Sequence, residues 1–170
     1  MPNEHNIILI GMPGAGKSTI GVLLAKHLAY GFVDTDVCIQ QREGMALQAI
    51  LEAQGYEALR RIEEEALMRL RAKQHVIATG GSAVYSDRAM KHLGRLGPRV
   101  FLDVSLATVK ARVSDVDTRG IACPPGYALA DVYRERAPLY RAWADVTVSC
   151  DGQTMELIVH RICEALARIQ

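Results

Sequence analysis

Eight residues, Gly11-Met-Pro-Gly-Ala-Gly-Lys-Ser18, fit the pattern G-x-x-x-x-G-K-S/T. Its glycines let the backbone turn tightly enough for several N–H groups to point at one anion. Lys17 adds a positive charge suited to the β and γ oxygens of a triphosphate, and the Ser18 hydroxyl suits Mg²⁺. A helix opening at Lys17 turns its positive dipole end on the same anion. Gly14, Ala15, Gly16, Lys17, Ser18 and Thr19 are therefore the candidate ATP-binding residues.

Other chemistry-bearing residues are scattered. Asp34 and Asp36 follow a short apolar run, Phe32-Val33. Two carboxylates at a strand end can hold Mg²⁺ through water and accept a hydrogen bond from a substrate hydroxyl. The same spacing also suits a plain turn capping a helix. Arg60 stands near a helix start, where by itself it reads as a solvated charge or a partner of Glu63 and Glu64. Gly80-Gly81-Ser82 is small enough to let a substrate approach the backbone. Arg119 and Arg136 are further cations, each unremarkable alone.

Binding a triphosphate does not define an activity, because switches and motors use the same loop. A guanine-reading Asn-Lys-x-Asp is absent, since the asparagines are Asn3 and Asn6 alone. Asp117-Thr-Arg-Gly120 fits a loose D-x-x-G but follows no strand. Motor ATPases need a longer chain. A small-molecule kinase using ATP and Mg²⁺ is the expectation that remains.

These residues need elements to position them. Asn6 to Ile10, Phe32 to Asp34, His75 to Ala78, Arg99 to Asp103 and Asp145 to Ser149 read as strands. Helical periodicity covers Lys17 to Tyr30, with Gly31 as the expected stop. Val37 to Arg71 reads as mostly helical, broken at Gly44 and Gly55, with Leu59, Ile62, Ala66 and Leu70 on the apolar face. Asp87 to Leu96, a Ser105-capped segment to Val113, Leu129 to Ala137 and Thr154 to Ile169 complete the helices. Pro138 is expected to end or kink its helix. Ser114 to Tyr127, rich in glycine and proline, reads as a mobile loop. Strands alternating with helices predict a parallel α/β sheet covered on both faces.

At 170 residues the chain is expected to be one domain. Its net charge of +1 gives no sign of a nucleic-acid surface. No run approaches a membrane span, and Met1 to Asn6 does not read as a signal peptide. Cys38, Cys123, Cys150 and Cys163 form no C-x-x-C pair, so zinc is not expected and reduced thiols in a cytoplasmic monomer are.

Taken together, several segments resemble the shikimate kinase family along nearly the whole chain. They are Gly11 to Thr19, Asp34-Thr-Asp36, Gly55 to Glu63, Ala78 to Val84, Thr118-Arg119 and Glu135-Arg-Ala-Pro-Leu-Tyr140. The resemblance implies a P-loop three-layer sandwich on a five-stranded parallel sheet, of the nucleoside-monophosphate-kinase type. It implies one domain, 1–170, with a lid near 114–127 and an acceptor-binding helical segment near 37–71. It makes Asp34 a Mg²⁺ residue beside Ser18, Asp36 the residue that binds the acceptor hydroxyls, and Arg60 and Arg136 the carboxylate binders. Gly80, Gly81 and Ser82 border the acceptor, Arg119 is the lid arginine, and Arg112 lies near the adenine. Lys17, Asp36 and Arg119 are the catalytic candidates.

The implied reaction is phosphorylation of shikimate. The alternatives are a paralogue acting on another small hydroxy acid and a nucleotide-binding regulator without turnover. Two departures concern the acceptor side: Ser82 replaces the third glycine of Gly-Gly-Gly, and Gly120 replaces the proline of Arg-Pro-Leu. Gly120 is expected to leave free a backbone that proline would fix.

Overall fold

The computed structural model describes residues 5–113 and 120–169. In β1 (Ile7–Ile10) all four residues are buried, so both faces of the sheet are covered there. The other strands are β2 (Gly31–Asp34), β3 (His75–Ala78), β4 (Arg99–Asp103) and β5 (Val146–Ser149). They form one sheet in the order β2-β3-β1-β4-β5, and every pairing is parallel. β1 is central: β2 and β3 lie on one side of it, and the chain then crosses it to add β4 and β5 on the other. This switch point opens a crevice at the carboxyl ends of the strands, where the phosphate-loop pattern begins.

Helix α1 (Lys17–Leu28) starts directly from that loop and packs against β3 and α8 (Met155–Ala167). The expected breaks at Gly44 and Gly55 divide the next helical stretch into three helices, α2 (Thr35–Glu43), α3 (Leu47–Gln54) and α4 (Tyr56–Arg69). They enclose a small second core of Ile39, Ile50 and Leu59, which Ala122 completes. A short 3₁₀ turn, Ala83–Tyr85, leads into α5 (Asp87–Leu96). α6 (Leu106–Arg112) is capped by Ser105, whose hydroxyl accepts from the Thr108 N–H. α7 (Leu129–Trp143) packs on β4.

Three expectations are corrected. Gly31 does not stop α1: Ala29 takes the left-handed cap at φ 57°, and Gly31 opens β2. A Cβ at Gly31 would lie 2.3 Å from the His75 ring, so glycine serves a close approach there. Pro138 does not end its helix, which runs on to Trp143. The ring points to solvent, while Arg136, Ala137 and Tyr140 anchor the buried face on either side of it. On α4 the inward face also differs, because Glu63 and Leu67 are buried with Leu59.

Candidate active site

The loop between β1 and α1 places Lys17 almost wholly inside the protein, at 9% exposure. Its Nζ donates to the carbonyl oxygens of Gly11 and Met12, each at 2.8 Å. Burial pulls its pKa down from 10.5 to about 8, against the pull of Asp36 in the other direction. Ser18 Oγ donates to Asp34 Oδ2 at 2.5 Å. The other Asp34 oxygen accepts from the N–H groups of Asp36 and Val37, capping α2. The two readings of the Asp34-Thr-Asp36 pattern are thus not exclusive: one carboxylate caps a helix and meets Ser18. A hydroxyl and a carboxylate in contact form a hard-oxygen donor pair suited to Mg²⁺.

Asp36 is different. Its Oδ1 is buried without a hydrogen-bond partner among the described residues. Burial raises its pKa, Lys17 lowers it, and Asp34 raises it. Glu63 lies close by, also with an unpartnered oxygen, Oε2. Burial, with Asp36 second, pushes Glu63 up to about 8 despite Arg136, Arg60 and Lys17. Both carboxylates lean on Gly80, where a Cβ would stand 2.3 Å from Glu63 Oε1 and 2.9 Å from Asp36 Oδ1. The Gly80 N–H is taken by Thr35 Oγ1. Gly81 fits between Arg136 and Pro13, and its carbonyl accepts from Tyr140, whose burial raises that phenol to about 12.

Arg60 and Arg136 come from α4 and α7, yet they meet. Arg60 donates to the Ala122 carbonyl from Nε and Nη2 at 3.3 and 3.1 Å, and Arg136 Nη2 donates to the same oxygen at 2.7 Å. Arg136 is 1% exposed. An oxygen facing two guanidinium groups marks where a carboxylate would bind. Arg112 donates to the Gly14 carbonyl at 3.2 Å, placing it at the far end of the phosphate loop. Arg119, with the first part of the expected lid, lies outside the described residues.

A cavity of about 380 Å³ opens here, lined by the phosphate loop, Asp36, Glu63, Ser82, Arg112 and Arg136. It has cations and a loop of N–H groups at one end, and carboxylates with a buried arginine at the other. That is the layout of a phosphoryl donor site facing a polar, acidic acceptor.

A family model described as shikimate kinase matches residues 13–167. The chain belongs to the shikimate kinase family. The shikimate kinase of Moorella thermoacetica is 37% identical over 163 residues, 95% of this chain and 94% of that protein. Shikimate kinase 1 of Yersinia enterocolitica is 35% identical over 170 residues, covering 98% of each chain. The structure of shikimate kinase from Acinetobacter baumannii in complex with shikimate superposes with a TM-score of 0.90. It is 28% identical, with 99% of this chain and 96% of that one covered. The chain is accordingly a kinase, a phosphotransferase with a hydroxyl acceptor, on an α/β fold with a five-stranded parallel sheet.

The positions that depart from the shikimate kinase pattern are both structured. Ser82 is buried and lines the cavity, with its Oγ unpartnered among the described residues. Gly120 is pinned, not free: it sits at φ +60° and its N–H donates to Gln48 Oε1 at 3.1 Å. A Cβ there would lie 2.7 Å from that of Leu47. Sequence reasoning also missed Glu63, Tyr85 and Met155. Glu63 had a signal, since it stands one helical turn after Arg60 on the same face. Met155, which also lines the cavity, had none.

Proposed function

We propose that this chain transfers the γ-phosphoryl group of MgATP to a ring hydroxyl of shikimate, giving shikimate 3-phosphate. The observation that carries this is the meeting of Arg60 and Arg136 on one oxygen, in a site that also holds Asp36 and Lys17. Two guanidinium groups converging on one point select a carboxylate by charge-assisted hydrogen bonds. Asp36 then orients the hydroxyl and takes its proton, a role helped by its raised pKa.

The remaining residues manage charge. The loop N–H groups and Lys17 hold the β and γ oxygens, so Lys17 exchanges two neutral carbonyl partners for charged ones. Ser18 and Asp34 hold Mg²⁺, which when bound neutralises charge developing on the phosphates. Arg119 supplies a second positive charge from the lid. Arg112 and Met155 flank the adenine. Gly80, Gly81 and Ser82 border the acceptor and let it reach the backbone. We place the protein in the cytoplasm as a monomer with small-molecule partners and no nucleic acid; no helix among the described residues is long and apolar enough to cross a membrane.

One observation favours a second reading. The buried, unpartnered Ser82 hydroxyl sits where the family pattern has glycine, which suits a hydroxy acid with one more polar group than shikimate. ADP release measured over a panel of hydroxy acids separates the two, with shikimate expected to give the highest kcat/KM. Arg60→Ala and Arg136→Ala should raise the acceptor KM about 10- to 100-fold, from the loss of one charge-assisted partner. The KM for ATP should hardly change. An acceptor KM insensitive to both substitutions rules out the acid-binding role.

A further inference from the structure

Two guanidinium groups aimed at one oxygen repel each other and come from separate helices. Something must orient them without cancelling the charge that attracts the acceptor. Tyr85, at the end of the 3₁₀ turn after β3, touches both. The Arg60 guanidinium carbon lies 3.8 Å from the centre of the Tyr85 ring, and 5.1 Å from that of Tyr56. The Arg136 guanidinium carbon lies 5.3 Å from the Tyr85 ring. Arg136 Nε also donates to the Tyr85 hydroxyl at 3.3 Å. That hydroxyl donates its own proton to Glu135, which leaves its lone pairs toward Arg136. The second Glu135 oxygen accepts from Tyr127 at 3.2 Å, so the acid is held from two sides.

We propose that Tyr85 is a positioning residue for the acceptor: one neutral side chain that orients both carboxylate-binding arginines. The proposal rests on the reading that Arg60 and Arg136 hold the acceptor's carboxylate. Toward the site, Tyr85 meets the two guanidinium groups, so it acts through the arginines and not on the substrate. The residue type follows from the chemistry. A carboxylate at this place would neutralise the guanidinium groups and compete with the acceptor. An aromatic face attracts a cation through its quadrupole, and a phenol oxygen accepts a hydrogen bond, neither with net charge. The buried acid facing the same arginines, Glu63, is held toward its neutral form by burial, which preserves the same positive field.

The test is steady-state kinetics on full-length Tyr85→Phe and Tyr85→Leu with shikimate varied at saturating ATP, beside Arg60→Ala. Phenylalanine keeps the ring and loses the oxygen; leucine loses both. Tyr85→Leu should raise the shikimate KM about 10-fold and Tyr85→Phe about 3-fold. The KM for ATP and kcat per folded molecule should stay within about 2-fold. A merely structural role would lower the thermal midpoint and the active fraction while leaving the shikimate KM alone. If Tyr85→Leu fails to fold, Tyr85→Phe decides. A raised KM with Arg60→Ala but native values in the folded Tyr85 variants overturns the proposal alone. A native KM with Arg60→Ala overturns the acceptor reading and the proposal with it.

Discussion

Glu63 and Lys17 are oppositely charged groups that burial drives the same way, toward neutrality. Their effects on stability fall in adjoining pH windows. Glu63 has its pKa raised from 4.5 to about 8, so the native state holds this proton more tightly than the unfolded chain. The stability it contributes is complete below about pH 4.5 and is lost as pH rises through about 8. Lys17, held down from 10.5 to about 8, contributes fully above about pH 10.5 and loses that contribution as pH falls through about 8. Between pH 5 and 8 Glu63 contributes a falling slope at this site, and the buried Asp36, whose pKa burial also raises, acts in the same direction, so the thermal midpoint should fall as pH rises. Glu63→Gln keeps the shape and removes the titration, so its melting curve should be flatter over that range. Parallel curves for the two proteins would show that Glu63 ionises normally. At the same scale, Lys17, Asp34 and Asp36 can be read from sequence because their motifs are local, whereas Glu63 is hidden, because a buried acid within a run of glutamates looks like a solvated face.

Elements were legible where period and burial agree. All five strands lie where short runs rich in apolar residues predicted them; β1 is buried on both faces, and the edge strand β5 alternates buried Val with exposed Thr and Ser. The caps at Ser86, Ser105 and Thr154 are the serine and threonine positions that helix starts favour. Less legible were the places where tertiary packing overrides local preference. Ala29 accepts a left-handed conformation that glycine would take more easily, and Pro138 stays within α7 because buried neighbours hold the helix on both sides of it. Gly120 is the sharpest case, since conformational freedom was expected and a fixed turn is present. Proline there would lose the N–H that bonds Gln48, could not reach φ +60°, and would press on Leu47. Gly120→Pro should therefore destabilise the protein by about 1–3 kcal/mol. It should also raise the acceptor KM, because Ala122 follows two residues later. Urea unfolding with shikimate kinetics checks both. A more stable, equally active variant would mean that this turn differs from the one described.

Across the whole molecule, residues 121–123 tie the two cores together. Ile121 belongs to the main core, Ala122 to the small core under α2–α4, and Cys123 packs against the main core again. Between them, the Ala122 carbonyl receives the hydrogen bonds of Arg60 and Arg136. On the proposed reading, an acceptor carboxylate would seek those same donors and compete with the backbone for them. Each bond from a charged donor is worth roughly 1.5–3 kcal/mol, enough to matter to a short segment. Acceptor binding is thus expected to loosen residues 120–123, and nucleotide binding with the acceptor to hold them again. Cys123 is partly buried in this segment and reports on it. Peptide-resolved mass spectrometry should follow its alkylation by iodoacetamide, since Cys38 is exposed and reacts independently. Shikimate alone should speed the reaction at Cys123 several-fold, and shikimate with a non-hydrolysable ATP analogue should slow it below that rate. The rate at Cys38 should not follow either change. If shikimate binds with an unchanged rate at Cys123, then the carboxylate and the Ala122 carbonyl share the arginines without competing, and this link between the acceptor and residues 120–123 is absent.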